Sequence, residues 1–197
     1  MLQRFDALGP LVQALASRAA GLERPYVIAV DGRSAAGKTV LAAALAERLD
    51  ATVIAGDDFY AGGTQVRSER PAALVSACID WREQRIVLEA LRSGQDASWH
   101  AFDWDAFNGS TCEALTTKSP SPLVILEGVY AARPELADLI DLAVLVRVDE
   151  GVREARLNAR EGGIGPWERQ WHAAEDYYFE FVRPLKSFDI MTSDLAL

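Results

Sequence analysis

The sequence predicts an α/β fold, a parallel sheet held between two layers of helices. Two patterns carry that expectation. Short apolar runs at residues 26–30, 51–56, 123–126 and 142–148 alternate with longer stretches whose apolar residues recur at helical spacing. Strands that read as continuous apolar runs need cover on both faces, which is the mark of a parallel sheet. A third observation adds chemistry. The first run passes directly into Gly32-Arg33-Ser34-Ala35-Ala36-Gly37-Lys38-Thr39, which fits the phosphate-binding pattern G-x-x-x-x-G-K-[ST].

In chain order, residues 2–22 read as an amphipathic helix, with Phe5, Leu8, Leu11, Val12, Leu15 and Ala19 on one stripe. Gly9-Pro10 is expected to break it, so that a short lead-in precedes a second helix starting near Pro10, and residues 1–24 form a helical lead-in to a single domain spanning 1–197. Its apolar face suits the sheet, or a partner. The strand at 26–30, the loop and a helix from about Gly37 follow. Next come a strand at 51–56, Asp57-Asp58-Phe59-Tyr60, a glycine-marked loop at 62–64, and helices over 71–77 and 80–92. The aromatic stretch 98–107 alternates like a strand or hairpin arm. Asn108-Gly109 signals a turn, and the segment on to Ser121 reads as loop. After the strand at 123–126 come a short helix at 134–139, a strand at 142–148, and helices over 149–161 and 167–182. A last short strand is expected at 188–191.

Composition excludes several classes. The chain has 197 residues, half of them hydrophobic and a quarter charged, an ordinary globular balance. A net charge of −9 argues against a broad interface with the phosphate backbone of a nucleic acid. Cys78 and Cys112 make neither a disulfide framework nor a zinc site. No signal-peptide pattern and no bilayer-length apolar run is visible, so a cytoplasmic location without membrane attachment is expected.

The phosphate loop points to a nucleoside triphosphate. Its glycines let backbone N–H groups converge on an anion, and the following helix adds its positive dipole end. Lys38 supplies a mobile charge and the Thr39 hydroxyl a ligand for Mg²⁺. Gly32, Arg33, Ser34, Ala35, Ala36, Gly37, Lys38, Thr39 and Val40 are therefore the nucleotide-binding candidates. Ligands of open parallel sheets bind beyond the carboxyl ends of the strands. Two acids stand at such ends. Glu127 can support Mg²⁺, and Asp57 can accept a proton from a substrate hydroxyl; Asp58 is the neighbouring alternative to Asp57, and a cap or turn role is open for both. Arg153, Arg156 and Arg160 share a helix face and can close over phosphates or pair with Glu150, Glu154 and Glu161. His100 and His172 show no spacing for metal binding or nucleophilic catalysis. The aromatics at 99–107 can stack on a substrate ring or form core. Neither an N-K-x-D element nor a full ABC-type signature is present, though a nucleotide-binding or regulatory NTPase without a small-molecule acceptor stays open.

The loop, together with Asp57-Asp58-Phe59-Tyr60, Phe102-Asp103-Trp104, Glu127-Gly128 and Phe181-Val182-Arg183-Pro184, resembles the uridine kinase and phosphoribulokinase group of P-loop kinases. The marks run in family order from about residue 26 to 190. The resemblance implies the P-loop kinase-type three-layer α/β/α fold with a five-stranded parallel sheet, a short lid at about 150–170 and an acceptor-side hairpin. It implies ATP, Mg²⁺ and transfer of the γ-phosphoryl group to a hydroxyl of a small molecule. By residue it implies Asp57 as base, Lys38 and Thr39 serving ATP and metal, and Glu127 supporting the metal. Tyr60, Asp80 and Phe102 fall near the acceptor and Arg160 in the lid. The chain departs from the group in two places. Phe107 stands near the position where uridine kinases carry a base-reading histidine, and 162–168 holds no arginine. The acceptor therefore stays open among nucleosides, vitamin precursors and sugars, and a homo-oligomer is open as well.

Overall fold

The computed structural model describes residues 2–193. Strand β1 (Gln3–Phe5) leads into helix α1 (Leu8–Ala19), then β2 (Tyr26–Asp31), α2 (Lys38–Leu49) and β3 (Ala51–Ala55). A 3₁₀ turn (Gly56–Phe59) and a loop precede α3 (Pro71–Ala77) and α4 (Trp81–Arg92). The antiparallel pair β4 (Ala97–Phe102) and β5 (Thr111–Lys118) comes before β6 (Leu123–Glu127) and β7 (Leu142–Val146). Then follow α5 (Glu150–Glu161), α6 (Pro166–Tyr177), a π turn (Tyr178–Val182) and β8 (Ile190–Thr192).

The main sheet is parallel throughout, in the order β1-β8-β7-β2-β6-β3. All residues of β2, β6 and β7 are buried, as strands covered on both faces must be. Successive β2 residues serve opposite layers, following the period of two. Ile28 and Val30 pack with Leu11 and Leu15 of α1 and Leu41 and Leu45 of α2. Val27 and Ala29 face Leu88 and Leu91 of α4, Ala174 of α6 and the hairpin's Trp99. No helix among the described residues is long and apolar enough to cross a membrane.

Three expectations change. The sheet has six strands, not five, because residues 3–5 form β1 at its edge rather than the start of a helix. The helix expected to start near Pro10 starts at Leu8, so Gly9 and Pro10 lie inside it rather than breaking the chain ahead of it. They sit in its first turn, where the missing proline N–H would have had no intrahelical partner anyway. The stretch read as loop before Ser121 is strand β5, whose threonines suit a strand and whose solvated setting leaves it without an apolar run. Asn108-Gly109 does lie in the intervening connection, with Gly109 at φ 93°.

Candidate active site

The buried run of β2 ends on Asp31, and the chain must then turn past the end of β7. A Cβ on Gly32 would stand 2.5 Å from the Val146 carbonyl oxygen, so only glycine passes there. Gly37 caps α2 at φ 97°, a left-handed conformation that costs glycine nothing. Ala35 is also left-handed, at φ 63°, where a non-glycine residue costs about 1 kcal/mol. The loop is held in this shape from beneath. One Asp31 oxygen accepts from the N–H groups of Gly32 at 2.7 Å and Tyr130 at 3.1 Å. The other accepts from the Ala132 N–H at 2.9 Å and the Tyr178 hydroxyl at 2.8 Å. Burial pushes the Asp31 carboxyl up, and these hydrogen bonds and Lys38 pull against it. The Lys38 ammonium turns back to the Arg33 carbonyl at 3.0 Å. The first-turn N–H groups of α2 supply the anion-binding end of a helix.

Glu127 ends β6 opposite Val30 of β2 and Ala55 of β3, at the carboxyl edge of the sheet. Its Oε1 accepts from the Thr39 hydroxyl at 3.1 Å. Burial, and then the charge of Asp57, push the Glu127 carboxyl above its ordinary range, while Lys38 and Thr39 pull it down. These two hard oxygen donors suit Mg²⁺, which takes few protein ligands and keeps several waters. No group of three or more His, Cys, Asp and Glu side chains placed to hold a metal occurs among the described residues.

Asp57 opens the 3₁₀ turn after β3 and is exposed. The indole N–H of Trp104 donates to its main-chain carbonyl at 3.2 Å. Asp58 differs. Its carboxylate is half-buried and accepts from the Trp99 indole at 2.8 Å, and burial pushes it up. Of the two acids, Asp57 is the one presented to an incoming group.

Beyond Asp57 lies a wall of rings. Tyr60 meets Phe102 and Trp104 at 5.0 Å each, Trp171 at 5.9 Å and Trp167 at 6.1 Å. Trp104 lies near-parallel to Phe107, and Trp167 to Trp171. Tyr60 donates to the Gly63 carbonyl at 2.7 Å, and burial pushes its hydroxyl up to about 12. Asp80 caps α4, one oxygen accepting from the N–H groups of Arg82 and Glu83, and its own N–H bonds Phe59.

On the other side of the loop is a cavity of about 410 Å³, lined by Arg33, Ala36, Val146, Arg147, Arg153 and Phe179 among others. Arg153 is nearly buried and pairs with Glu150. Arg156 comes within 3.5 Å of the Ala35 carbonyl, a long contact. Arg160 lies one turn further on, exposed. His100 sits on the hairpin, its Nδ1 3.0 Å from the Cys112 carbonyl, away from these groups.

No family model matches the chain. A uridine kinase of Deinococcus deserti is 29% identical over 180 residues, covering 84% of this chain and 81% of its own. The chain is thus similar in sequence to uridine kinases over most of its length. Solved structures agree on the fold. A possible uridine kinase from Bacillus stearothermophilus superposes with TM-score 0.67 at 21% identity, over 94% of this chain and 98% of that one. The D-glycerate 3-kinase of Cryptococcus neoformans superposes with TM-score 0.65 at 14% identity, over 96% and 97%.

Several residues built into the candidate site carried no local signal. Asp31 gave a faint one, an acid at the end of an apolar run. Trp167, Trp171 and Glu175 gave none, because the partners that place them in the site, Ser34 and Tyr60, lie on other elements more than a hundred residues away in sequence.

Proposed function

We propose that this kinase transfers the γ-phosphoryl group of Mg²⁺-bound ATP to a hydroxyl of a nucleoside or another small hydroxylated metabolite. One observation carries the reading. The phosphate loop, the Thr39–Glu127 contact and the open Asp57 carboxylate stand together at the carboxyl ends of adjacent parallel strands. Residues 32–40 cradle the phosphates, with Lys38 on the terminal ones. Thr39 and Glu127 would hold Mg²⁺, which neutralises charge on the phosphate oxygens. Asp57 takes the proton of the acceptor hydroxyl as its oxygen bonds to the γ-phosphorus and the bond to the β-phosphate oxygen breaks, releasing ADP. Arg160, with Arg156, closes from the lid at 150–170. Tyr60, Phe102 and Asp80 bound the acceptor. Trp104, 42% exposed beside Asp57, offers a face for a ring. The cavity beyond Arg33 and Ala36 suits the nucleoside of the donor.

The test is an acceptor screen over nucleosides, sugars and vitamin precursors, read by ADP release. One class should stimulate ADP release, and Asp57→Asn should abolish the stimulation in a folded protein. ADP release indifferent to every acceptor and to Asp57→Asn would instead mark an NTPase.

A further inference from the structure

The end of α6 grips the phosphate loop. Glu175 is fully buried, and its Oε1 accepts three donors: the Ser34 N–H at 3.0 Å, the Ser34 hydroxyl at 2.5 Å and the Trp171 indole N–H at 2.8 Å. The same indole N–H lies 3.0 Å from the Ser34 hydroxyl oxygen. The next residue, Asp176, pairs with Arg33. Two consecutive loop residues are thus held by two consecutive acids from the far end of the chain. We propose that Glu175 is a positioning residue for the phosphate loop, and that Trp171 links the loop to the aromatic wall.

Three observations support this over simple packing. Burying a carboxylate is unfavourable unless it is well bonded, and here one oxygen makes all the bonds while Oε2 has no partner among the described residues. The bonds go to the phosphate loop itself, next to left-handed Ala35, a conformation that persists only when its surroundings hold it. Finally, the Trp171 ring stacks on Trp167 and meets Tyr60 and Tyr130 at 5.9 and 5.7 Å. A shift of Ser34 when phosphate enters the loop must therefore be felt at the rings. By reciprocity, whatever packs on the rings biases the loop.

The inference rests on the kinase reading only in taking a nucleotide as the loop's ligand, so Mg²⁺ with the non-hydrolysable analogue AMP-PNP is the probe. Calorimetry should find Glu175→Ala weakened about tenfold, the scale of losing a hydrogen bond or two to a charged group. Glu175→Gln, which keeps an acceptor oxygen, should recover most of that loss. Ser34→Ala should weaken binding as well, and Ser34→Ala with Glu175→Ala should fall short of the product of the single effects. AMP-PNP should change the tryptophan emission of the wild type, and Trp171→Phe should remove that change. Thermal melts establish that each variant is folded. Lowered melting with wild-type affinity in Glu175→Ala and Glu175→Gln, or an emission change retained in Trp171→Phe, overturns the proposal and reduces Glu175 to packing. A wild type that binds no AMP-PNP overturns the kinase reading and this inference with it. A wild type that binds AMP-PNP but uses no acceptor overturns only the former.

Discussion

The proposed site has a donor half and an acceptor half, and the two are made differently. The donor half is backbone. One strand end, one loop and one helix start, contiguous from Asp31 to Thr39, turn main-chain N–H groups toward an anion, and two buried carboxylates, Asp31 beneath the loop and Glu175 beside it, hold their shape. The acceptor half is side chain. Its rings come from the turn after β3, from β4 and the turn that follows it, and from α6, and they hold one another by edge and face contacts. Backbone geometry tolerates almost any side chain between its glycines but few changes of conformation. A ring wall tolerates local motion but reads the shape of whatever meets it. In the proposed reading the donor half selects a phosphate and the acceptor half reads the acceptor, with Trp171 the ring through which a change in the wall reaches the loop.

That contrast can be broken at its junction first. Asp57 is the group through which the halves meet, and Asp57→Asn is expected to lower the transfer rate by about 10²–10⁴, the usual range for a lost general base. Melting temperature and AMP-PNP affinity should stay near wild type, because Asp57 is exposed and the change to Asn keeps its shape. A rate within threefold of wild type in a steady-state assay would remove Asp57 from the chemistry. The next largest effect is on stability. Asp31→Ala leaves three buried N–H groups and the Tyr178 hydroxyl without their acceptor, which costs about 3 kcal/mol or more. Urea unfolding measures it. A loss below about 1 kcal/mol would mean the donor loop keeps its shape without that carboxylate.

The same contrast explains what could be read beforehand. A backbone site is written in consecutive residues, so the loop, Asp57 and Glu127 were legible as strand-end features. The wall was half legible. Tyr60, Phe102 and Trp104 stand in recognisable local patterns, whereas Trp171 and Glu175 meet Ser34 across 137 and 141 residues, where no periodicity operates. In the fold, β2, β6 and β7 were plain because burial on both faces makes them apolar throughout. Strand β1, three edge residues, and β5, a solvated hairpin arm, lack the apolar pattern that reveals a strand.

A third change sharpens the division between the halves. Trp104→Ala removes an exposed ring face beside Asp57 and is expected to raise the KM of a ring-bearing acceptor by about tenfold, at the low end of what one stacking contact is worth. The KM for ATP should move less than twofold. Equal effects on both would show that the wall is not an acceptor surface but a support for the loop.

The smallest effect expected is one of pH. Burial and the neighbouring Asp57 charge raise the Glu127 carboxyl, so the fold holds that proton more tightly than the unfolded chain does. Its contribution to stability is thus fully present below the unfolded value and is lost as pH rises through the folded one. Metal binding runs the opposite way, because Mg²⁺ needs the ionised carboxylate. Mg²⁺ support of nucleotide binding should weaken as pH falls, beginning above the ordinary glutamate range. Asp57→Asn removes one of the charges that raise Glu127, so the midpoint of this acid limb should move to lower pH in that variant. Mg²⁺ titrations of AMP-PNP binding across pH, compared by midpoint rather than by absolute affinity, measure the shift. A limb that stays in place or moves upward would mean that Asp57 and Glu127 do not share a field. The junction between the two halves would then be one of proximity alone.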